Sequence, residues 1–233
     1  MNVTPFKLPG LKSYPGGKGA EATLRLLINN IPPHEVYGEL FLGGGAIMRH
    51  KRPAERNYGN DLSDDVLKLW EDAPKWVQVY KRDGLAQLER MADKNEVGEE
   101  SFLFLDPPYL DETLKTGRAP YAHRMPYGDH VRLLLAVKRL QCNVMLCGLP
   151  NLLYENQLRG WRTVQYENMT HQGLQTEQVW MNYDKPAQLH DCRYVGSTFR
   201  DRERIKRRAK SIRKQLDAMP DHERQYIIET ITR

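Results

Sequence analysis

Four consecutive apolar residues, Phe102-Leu103-Phe104-Leu105, run directly into Asp106-Pro107-Pro108-Tyr109. So short and so apolar a run fits a strand buried on both faces. The prolines end it, because they fix φ near −65° and have no N–H to give to a ladder. The segment therefore predicts a carboxylate, backbone carbonyls without neighbouring N–H groups and an exposed aromatic ring at the carboxyl end of a strand. Ligands of open α/β sheets bind at that end. Such a cluster suits transfer to an amino group carried on an aromatic base. The lone pair of that amine is delocalised into the ring, so it is a poor nucleophile. Asp106 and the Pro107 carbonyl can accept its two N–H protons, Tyr109 can stack on the base, and Pro107 with Pro108 keeps the geometry rigid. By itself the tetrapeptide also fits a solvent-exposed strand end followed by a Pro-Pro turn.

Upstream, the stretch from Val36 to Leu42 reads as a strand entering the turn Gly43-Gly44-Gly45, which opens a helix at Ala46. Glycines there let backbone approach a ligand closely. Neither the three-glycine dinucleotide spacing nor the Gly-Lys-Ser/Thr ending of a phosphate loop is present. Tyr58-Gly59-Asn60-Asp61 reads as the end of a second strand. An acid at that position can accept hydrogen bonds from both ribose hydroxyls of a nucleoside cofactor, while Glu39 or the turn amides hold an amino-acid tail. Asp61 also fits a helix N-cap ahead of Leu62. A third segment, Tyr14-Pro15-Gly16-Gly17-Lys18, offers an aromatic, two glycines and a lysine to close over a cofactor adenine and carboxylate, and equally fits a surface loop.

Strands are expected at about 36–42, 55–60, 102–106, 143–148, 162–167 and 177–184, with helices between most of them. That alternation predicts an α/β doubly wound sheet, mostly parallel, with an antiparallel last strand. The interval from Leu62 to the Asp106 strand reads as mostly helical. Trp70, Trp161 and Trp180 read as core. His123 and His130 read as packing or capping residues, with Asp129 capping a helix from His130. No apolar run approaches the roughly 18 residues of a membrane helix, and the N-terminus has no signal-peptide pattern. A cytoplasmic protein is expected. The three cysteines, Cys142, Cys147 and Cys192, are too few and too irregular for a disulfide framework or a zinc site.

The formal net charge is +5, and the segment from Arg193 to Lys214 holds ten Lys or Arg against two acids. That segment is therefore +8 and the rest of the chain −3. Asp201 to Leu216 has helical character, with Ile205, Ile212 and Leu216 on one stripe. A basic amphipathic segment of this kind meets phosphates, here through Arg204, Lys206, Arg207, Arg208 and Lys210; a solvated helix packing Ile212, Leu216 and Met219 is the other reading. The polar stretch 110–127 adds Lys115, Arg118, Tyr121, Arg124 and Met125. Its cations can grip phosphates, while Tyr121 or Met125 wedges into a vacated base stack.

The order Tyr-Pro-Gly-Gly-Lys, Glu-Leu-Phe-Leu-Gly-Gly-Gly, Asn-Asp and Asp-Pro-Pro-Tyr resembles the Dam-like class of DNA N6-adenine methyltransferases, most of all short phage or prophage forms. The likeness runs from about residue 8 to 185 and includes His123-Arg124-Met125, Val144 to Gly148, and Thr176 to Tyr183. Tyr14 stands where the family usually has tryptophan. The resemblance implies a Rossmann-like S-adenosylmethionine-dependent methyltransferase fold over residues 1–190 and a basic helical extension over 191–233. It implies that Tyr14, Gly16, Gly17, Lys18, Glu39, Phe41, Gly43, Gly44, Gly45, Asn60, Asp61 and Asp106 hold S-adenosylmethionine, and that Asp106, Pro107, Pro108 and Tyr109 are catalytic. The implied substrate is a flipped-out adenine of double-stranded DNA, with no metal. Larger relatives carry a target-recognition region between Asp61 and the catalytic strand; about forty residues here leave no room for one, so a short or relaxed target is expected. Evasion of restriction would follow from that. Cytosine N4, adenine in RNA, a protein side-chain amide and a catalytically silent DNA-binding relative are the alternatives.

Overall fold

The computed structural model describes residues 5–11, 17–114, 123–170, 173–196 and 198–232. Their seven strands form one sheet: β1 (Val36–Glu39), β2 (Arg56–Asp61), β3 (Val77–Lys81), β4 (Ser101–Leu105), β5 (Asn143–Gly148), β6 (Arg162–Thr170) and β7 (Gly173–Met181). The order across the sheet is β3-β2-β1-β4-β5-β7-β6. Every pairing among β1 to β5 is parallel, and β7 runs antiparallel to both β5 and β6. The order reverses at β1, so the carboxyl ends of β1 and β4 flank the crevice where such sheets take ligands. This is a Rossmann-like α/β fold, mostly parallel with an antiparallel end.

Helices α1 (Glu21–Ile28), α2 (Ala46–His50), α3 (Asp64–Leu69), α4 (Gly84–Lys94), α5 (Tyr127–Val137) and α6 (Leu152–Gln157) make the connections. β4 is buried at every position, as its continuous apolar run requires. Leu103 and Leu105 join Leu88, Leu133, Leu134, Val144, Leu146 and Trp180 in one core cluster. Phe102 stacks parallel to Tyr37, ring centroids 6.0 Å apart. Trp70 and Trp180 are buried, and Trp161 packs against the core from a half-buried position. Cys142 and Cys147 are buried free thiols.

The structure corrects the expected elements at four places. Val77–Lys81, read as helical, is strand β3, paired with β2; α4 begins only at Gly84, behind the N-cap Asp83. β1 stops at Glu39, because the chain turns out of the sheet to build the glycine turn. The last hairpin is shifted: β6 runs on to Thr170 and β7 spans Gly173–Met181. Asp129 caps nothing. Pro126 holds the N-cap position of α5, and Asp129 pairs with Arg132 inside the first turn.

The chain divides into two compact units, Met1–Asp191 and Cys192–Arg233. The second holds α7 (Phe199–Asp217) and α8 (Asp221–Ile231). Thr198 caps α7, its hydroxyl accepting from the Asp201 amide at 3.1 Å. No described residue forms a helix long and apolar enough to cross a membrane.

Candidate active site

A cavity of about 580 Å³ opens at the carboxyl ends of β1, β2 and β4. One side of it is made from turns. Gly43 and Gly45 take positive φ, +46° and +52°, and Gly45 stands at the start of α2. The Gly43 amide donates to Asp61 Oδ2 at 2.9 Å, and the Ser63 amide to Asp61 Oδ1 at 2.9 Å. Asp61 thus shapes two turns at once and, as a carboxylate with about four lone-pair sites, keeps acceptor capacity toward the cavity it lines. It does not cap α3, whose N-cap position belongs to Ser63. Trp70 braces the turn from below, its Nε1 donating to the Gly43 carbonyl at 2.9 Å. A Cβ on Gly45 would lie 2.2 Å from the Trp70 ring.

Glu39 is 2% exposed at the cavity wall. Its Oε1 accepts from the Tyr37 hydroxyl at 2.8 Å and from the Met48 amide in α2 at 2.7 Å. Burial pushes its carboxyl up to about 7 against those donors. Gly17, Phe41 and Gly44 also line the cavity. Asn60 does not: its Nδ2 donates to the Leu40 and Arg82 carbonyls at 2.9 and 3.3 Å, tying strand ends together. Asp83-Gly84-Leu85-Ala86, which the sequence reading passed over, completes this wall. The Asp83 side chain accepts from the Leu85 and Ala86 amides, and a Cβ on Gly84 would lie 2.3 Å from the Leu40 carbonyl. The Asp-Gly pair directly after a strand was the signal available for it.

The other side is made of buried charge. Lys18 is 2% exposed and donates to both carboxylate oxygens of Asp106, at 2.9 and 2.8 Å. The same ammonium lies 3.4 Å from Glu177 Oε2. Glu177, in β7, is 1% exposed. Its Oε2 accepts from the Tyr109 and Tyr166 hydroxyls, each at 2.8 Å, and its Oε1 from Asn168 Nδ2 at 2.7 Å. Burial works against the Lys18 ammonium, but Asp106 and Glu177 outweigh it and hold its pKa above the ordinary value. Burial likewise opposes the Glu177 carboxylate, yet Lys18, Asn168 and the two tyrosines keep its pKa low. For Asp106 burial wins, raising its pKa against the pull of Lys18, with Glu177 adding to the rise.

This arrangement corrects several sequence expectations. Tyr109 is not exposed: it is 5% exposed, and its hydroxyl is spent on Glu177. The chain turns it inward, with the Lys18 ammonium 5.1 Å from the centre of its ring. Pro108 lines the cavity, while Pro107 is buried beside it. Lys18 lines the cavity and is held there by two acids, Asp106 and Glu177. Met125 is 6% exposed and belongs to the core cluster, so it packs at the cavity wall and is no wedge. Arg124 stands at the cavity edge, paired with Asp111. Tyr14, Gly16, Lys115, Arg118 and Tyr121 lie outside the described residues. Arg204, Lys206, Arg207, Arg208 and Lys210 are all exposed on α7, where no described residue is buried. Within that helix Arg204 pairs with Asp201 and Lys206 with Glu203, and Ile212 of the expected apolar stripe is exposed. Glu177 was missed. It precedes the apolar run Val179-Trp180-Met181, and nothing local marks it.

No protein-family model and no curated protein matches the chain. Solved structures do. Precorrin 8W decarboxylase of Methanobacterium thermoautotrophicum is 12% identical, over 73% of this chain and 94% of that one, with a TM-score of 0.44. An O-methyltransferase of Bacillus cereus, in complex with SAH, is 13% identical over 75% and 84%, with a TM-score of 0.45. Magnesium protoporphyrin IX methyltransferase of Synechocystis, with bound SAM, is 14% identical over 70% and 79%, with a TM-score of 0.42. Similarity this distant concerns the course of the chain and not its chemistry.

Proposed function

We propose that this chain is an S-adenosylmethionine-dependent methyltransferase that methylates the exocyclic amine of a nucleic-acid base, N6 of adenine in double-stranded DNA. The observation that carries the reading is the shared cavity in which Asp106, at the end of β4, faces the glycine turn and Asp61.

The residues fit the cofactor on their own terms. Gly45 and Gly84 line the cavity as bare backbone, packed from behind by Trp70 and by the Leu40 carbonyl. Asp61 has acceptor capacity for two ribose hydroxyls. The Gly43 to Ala46 backbone and Glu39 lie where an amino-acid tail would end. The volume suits a nucleoside with a short tail plus one flat base. Bound there, S-adenosylmethionine supplies an electrophilic methyl group whose bonding pair returns to sulfur as the amine nitrogen takes the carbon.

The chain does the rest by position. Asp106 and the Pro107 carbonyl accept the N–H protons of the amine and turn its lone pair outward. Lys18 fixes the Asp106 carboxylate by binding both of its oxygens, so little reorganisation is needed on reaction. The nitrogen becomes positive as it is alkylated, and the proton it then sheds goes to Asp106 or to water. Cys147, whose thiol burial pushes well up, is no nucleophile here. The base reaches the cavity by leaving the duplex, at a cost of a few kcal/mol. Exposed cations on α7 suit the phosphates. Residues 62–100 are spent on α3, β3 and α4, elements of the fold itself, so we infer a short or relaxed target sequence.

The test is direct. Purified protein, S-adenosylmethionine and unmethylated duplex DNA are incubated, and the DNA is digested to nucleosides for mass spectrometry. N6-methyladenine is the expected product, in a large share of all adenines if selection is relaxed. N4-methylcytosine, or methylation of RNA alone, would transfer the same chemistry to that base. No methylated base in either polymer would overturn the reading.

A further inference from the structure

Glu177 is used by nothing in the mechanism above, yet it is the most heavily partnered acid in the site. Three donors from two places in the chain converge on it: Tyr109 after β4, and Tyr166 and Asn168 on β6. Lys18 adds an ion pair at 3.4 Å. A buried carboxylate is costly unless it is paired and hydrogen-bonded, and one that only supported the hairpin could be replaced by an apolar side chain. Here the acid touches the group that holds Asp106.

The charges set the consequence. Lys18 is one cation shared by two carboxylates, all three at the cavity floor or directly behind it. A Lys18–Asp106 pair alone would be neutral. Resting on the methyl-transfer reading above, we propose that Glu177 is a positioning residue of the active site: by sharing Lys18 with Asp106 it leaves the buried cluster with one net negative charge, which favours the positive charge growing on the attacked nitrogen. Fixed charge aimed at where charge develops, in a site shielded from water, is an effective way to lower a barrier. Glu177 also keeps Lys18 from belonging wholly to Asp106, and so leaves Asp106 a better acceptor for an amine.

Other titratable groups facing Asp106 are Glu39 on β1, Cys147 on β5, and Tyr154 on α6. With the thiol and phenol pushed up by burial, both are neutral near pH 7. Glu39 titrates near 7 in its own right, so it is held constant across the variants below. Glu177 is the acid joined to Asp106 through Lys18.

The experiment compares Glu177→Gln with the parent chain. The amide keeps the shape and removes the charge. Three readouts are taken: cofactor affinity, single-turnover methyl transfer from pH 5 to 9, and the carbon-13 carboxyl titration of Asp106. The negative charge of Glu177 raises the pKa of Asp106, so its loss lowers it. The acid limb of the rate profile and the Asp106 titration should both move to lower pH, by about one unit. The maximal rate should fall about tenfold or more while cofactor affinity stays within about twofold. Lys18→Gln should move the Asp106 titration the opposite way. Tyr166→Phe removes one donor from Glu177 but leaves its charge, so it is the control and should leave the Asp106 titration close to that of the parent chain.

An unmoved Asp106 titration in Glu177→Gln, or an equal downward shift in Tyr166→Phe, overturns the proposal and leaves Glu177 as a brace for Tyr109. Failure of the parent chain to methylate any base sinks the functional reading instead. The two failures are separable because the carboxyl titration needs neither cofactor nor substrate.

Discussion

On the β1–β2 side of the cavity the surface is mostly backbone, shaped by partners close in sequence: Gly43 and Asp61 are 18 residues apart. On the β4–β7 side it is side-chain charge, assembled from distant places: Lys18 and Asp106 are 88 residues apart, Tyr109 and Glu177 are 68. A shape that a Cβ would destroy suits a ligand gripped the same way every time. A balance of charges suits a group whose own charge changes during reaction. The two walls therefore differ in how they should fail: one by losing fit, the other by losing rate.

The sharpest break in that contrast is Asp106→Ala. Methyl transfer should drop by about a thousandfold or more, with cofactor affinity nearly unchanged, as single-turnover and equilibrium-binding measurements would show. Equal losses in both would mean the walls are not separable. Next comes Gly45→Val, which places a branched side chain at φ +52° and against the Trp70 ring. The strain and overpacking together should cost about 3–5 kcal/mol in urea unfolding. A stable variant with intact cofactor binding would show that the turn is looser than its packing implies.

Glu39 sits between the two walls and should be read through pH. Its carboxyl is raised from 4.5 to about 7 in the folded chain. The folded state therefore holds its proton more tightly, so stability is greatest below about 4.5 and is lost as pH rises through 7. That loss is on the order of 3 kcal/mol. Glu39→Gln should flatten the slope between pH 5 and 8 in denaturant midpoints. Asp61→Ala should weaken cofactor binding by about ten- to a hundredfold, through missing ribose hydrogen bonds and a loosened Gly43 turn, while the maximal rate at saturating cofactor changes little. The smallest effect belongs to α7. Replacing Arg207 and Arg208 by Gln should lower the salt slope of DNA binding by about two, close to one unit for each phosphate left without its cation. An unchanged slope would mean that α7 meets no phosphate.

The same contrast explains what the sequence could tell. Asp106 at the end of a buried strand, the glycine turn and Asp61 are local patterns. Backbone chemistry alone put them at one end of one sheet, in a Rossmann-like order. β3 was lost because Val77–Lys81 is short and leads straight into the amphipathic Gly84–Lys94, so the helical period swamped five residues of alternation. Tyr109 was placed on the wrong side because a Pro-Pro bend fixes backbone angles but not which way the next residue faces. Glu177 was invisible for a different reason. An acid in an edge hairpin reads as solvent-facing, and only the insertion of β7 between β5 and β6 buries it against Lys18.

That insertion also sets a timetable. Along the chain β6 is made before β7, yet in the sheet it can pair with nothing until β7 has taken the place beside β5. During synthesis, at about 5–20 residues per second, the edge of β5 stays open and β6, once complete, waits about half a second to two seconds for its neighbour. Pairings between distant strands are slow to form, and an open edge invites the wrong partner while it lasts. Lys18 is made long before Glu177 and finds its second acid only when β7 arrives. A nascent chain thus has the glycine turn and Asp61 well before it can join Lys18, Asp106 and Glu177 into one cluster.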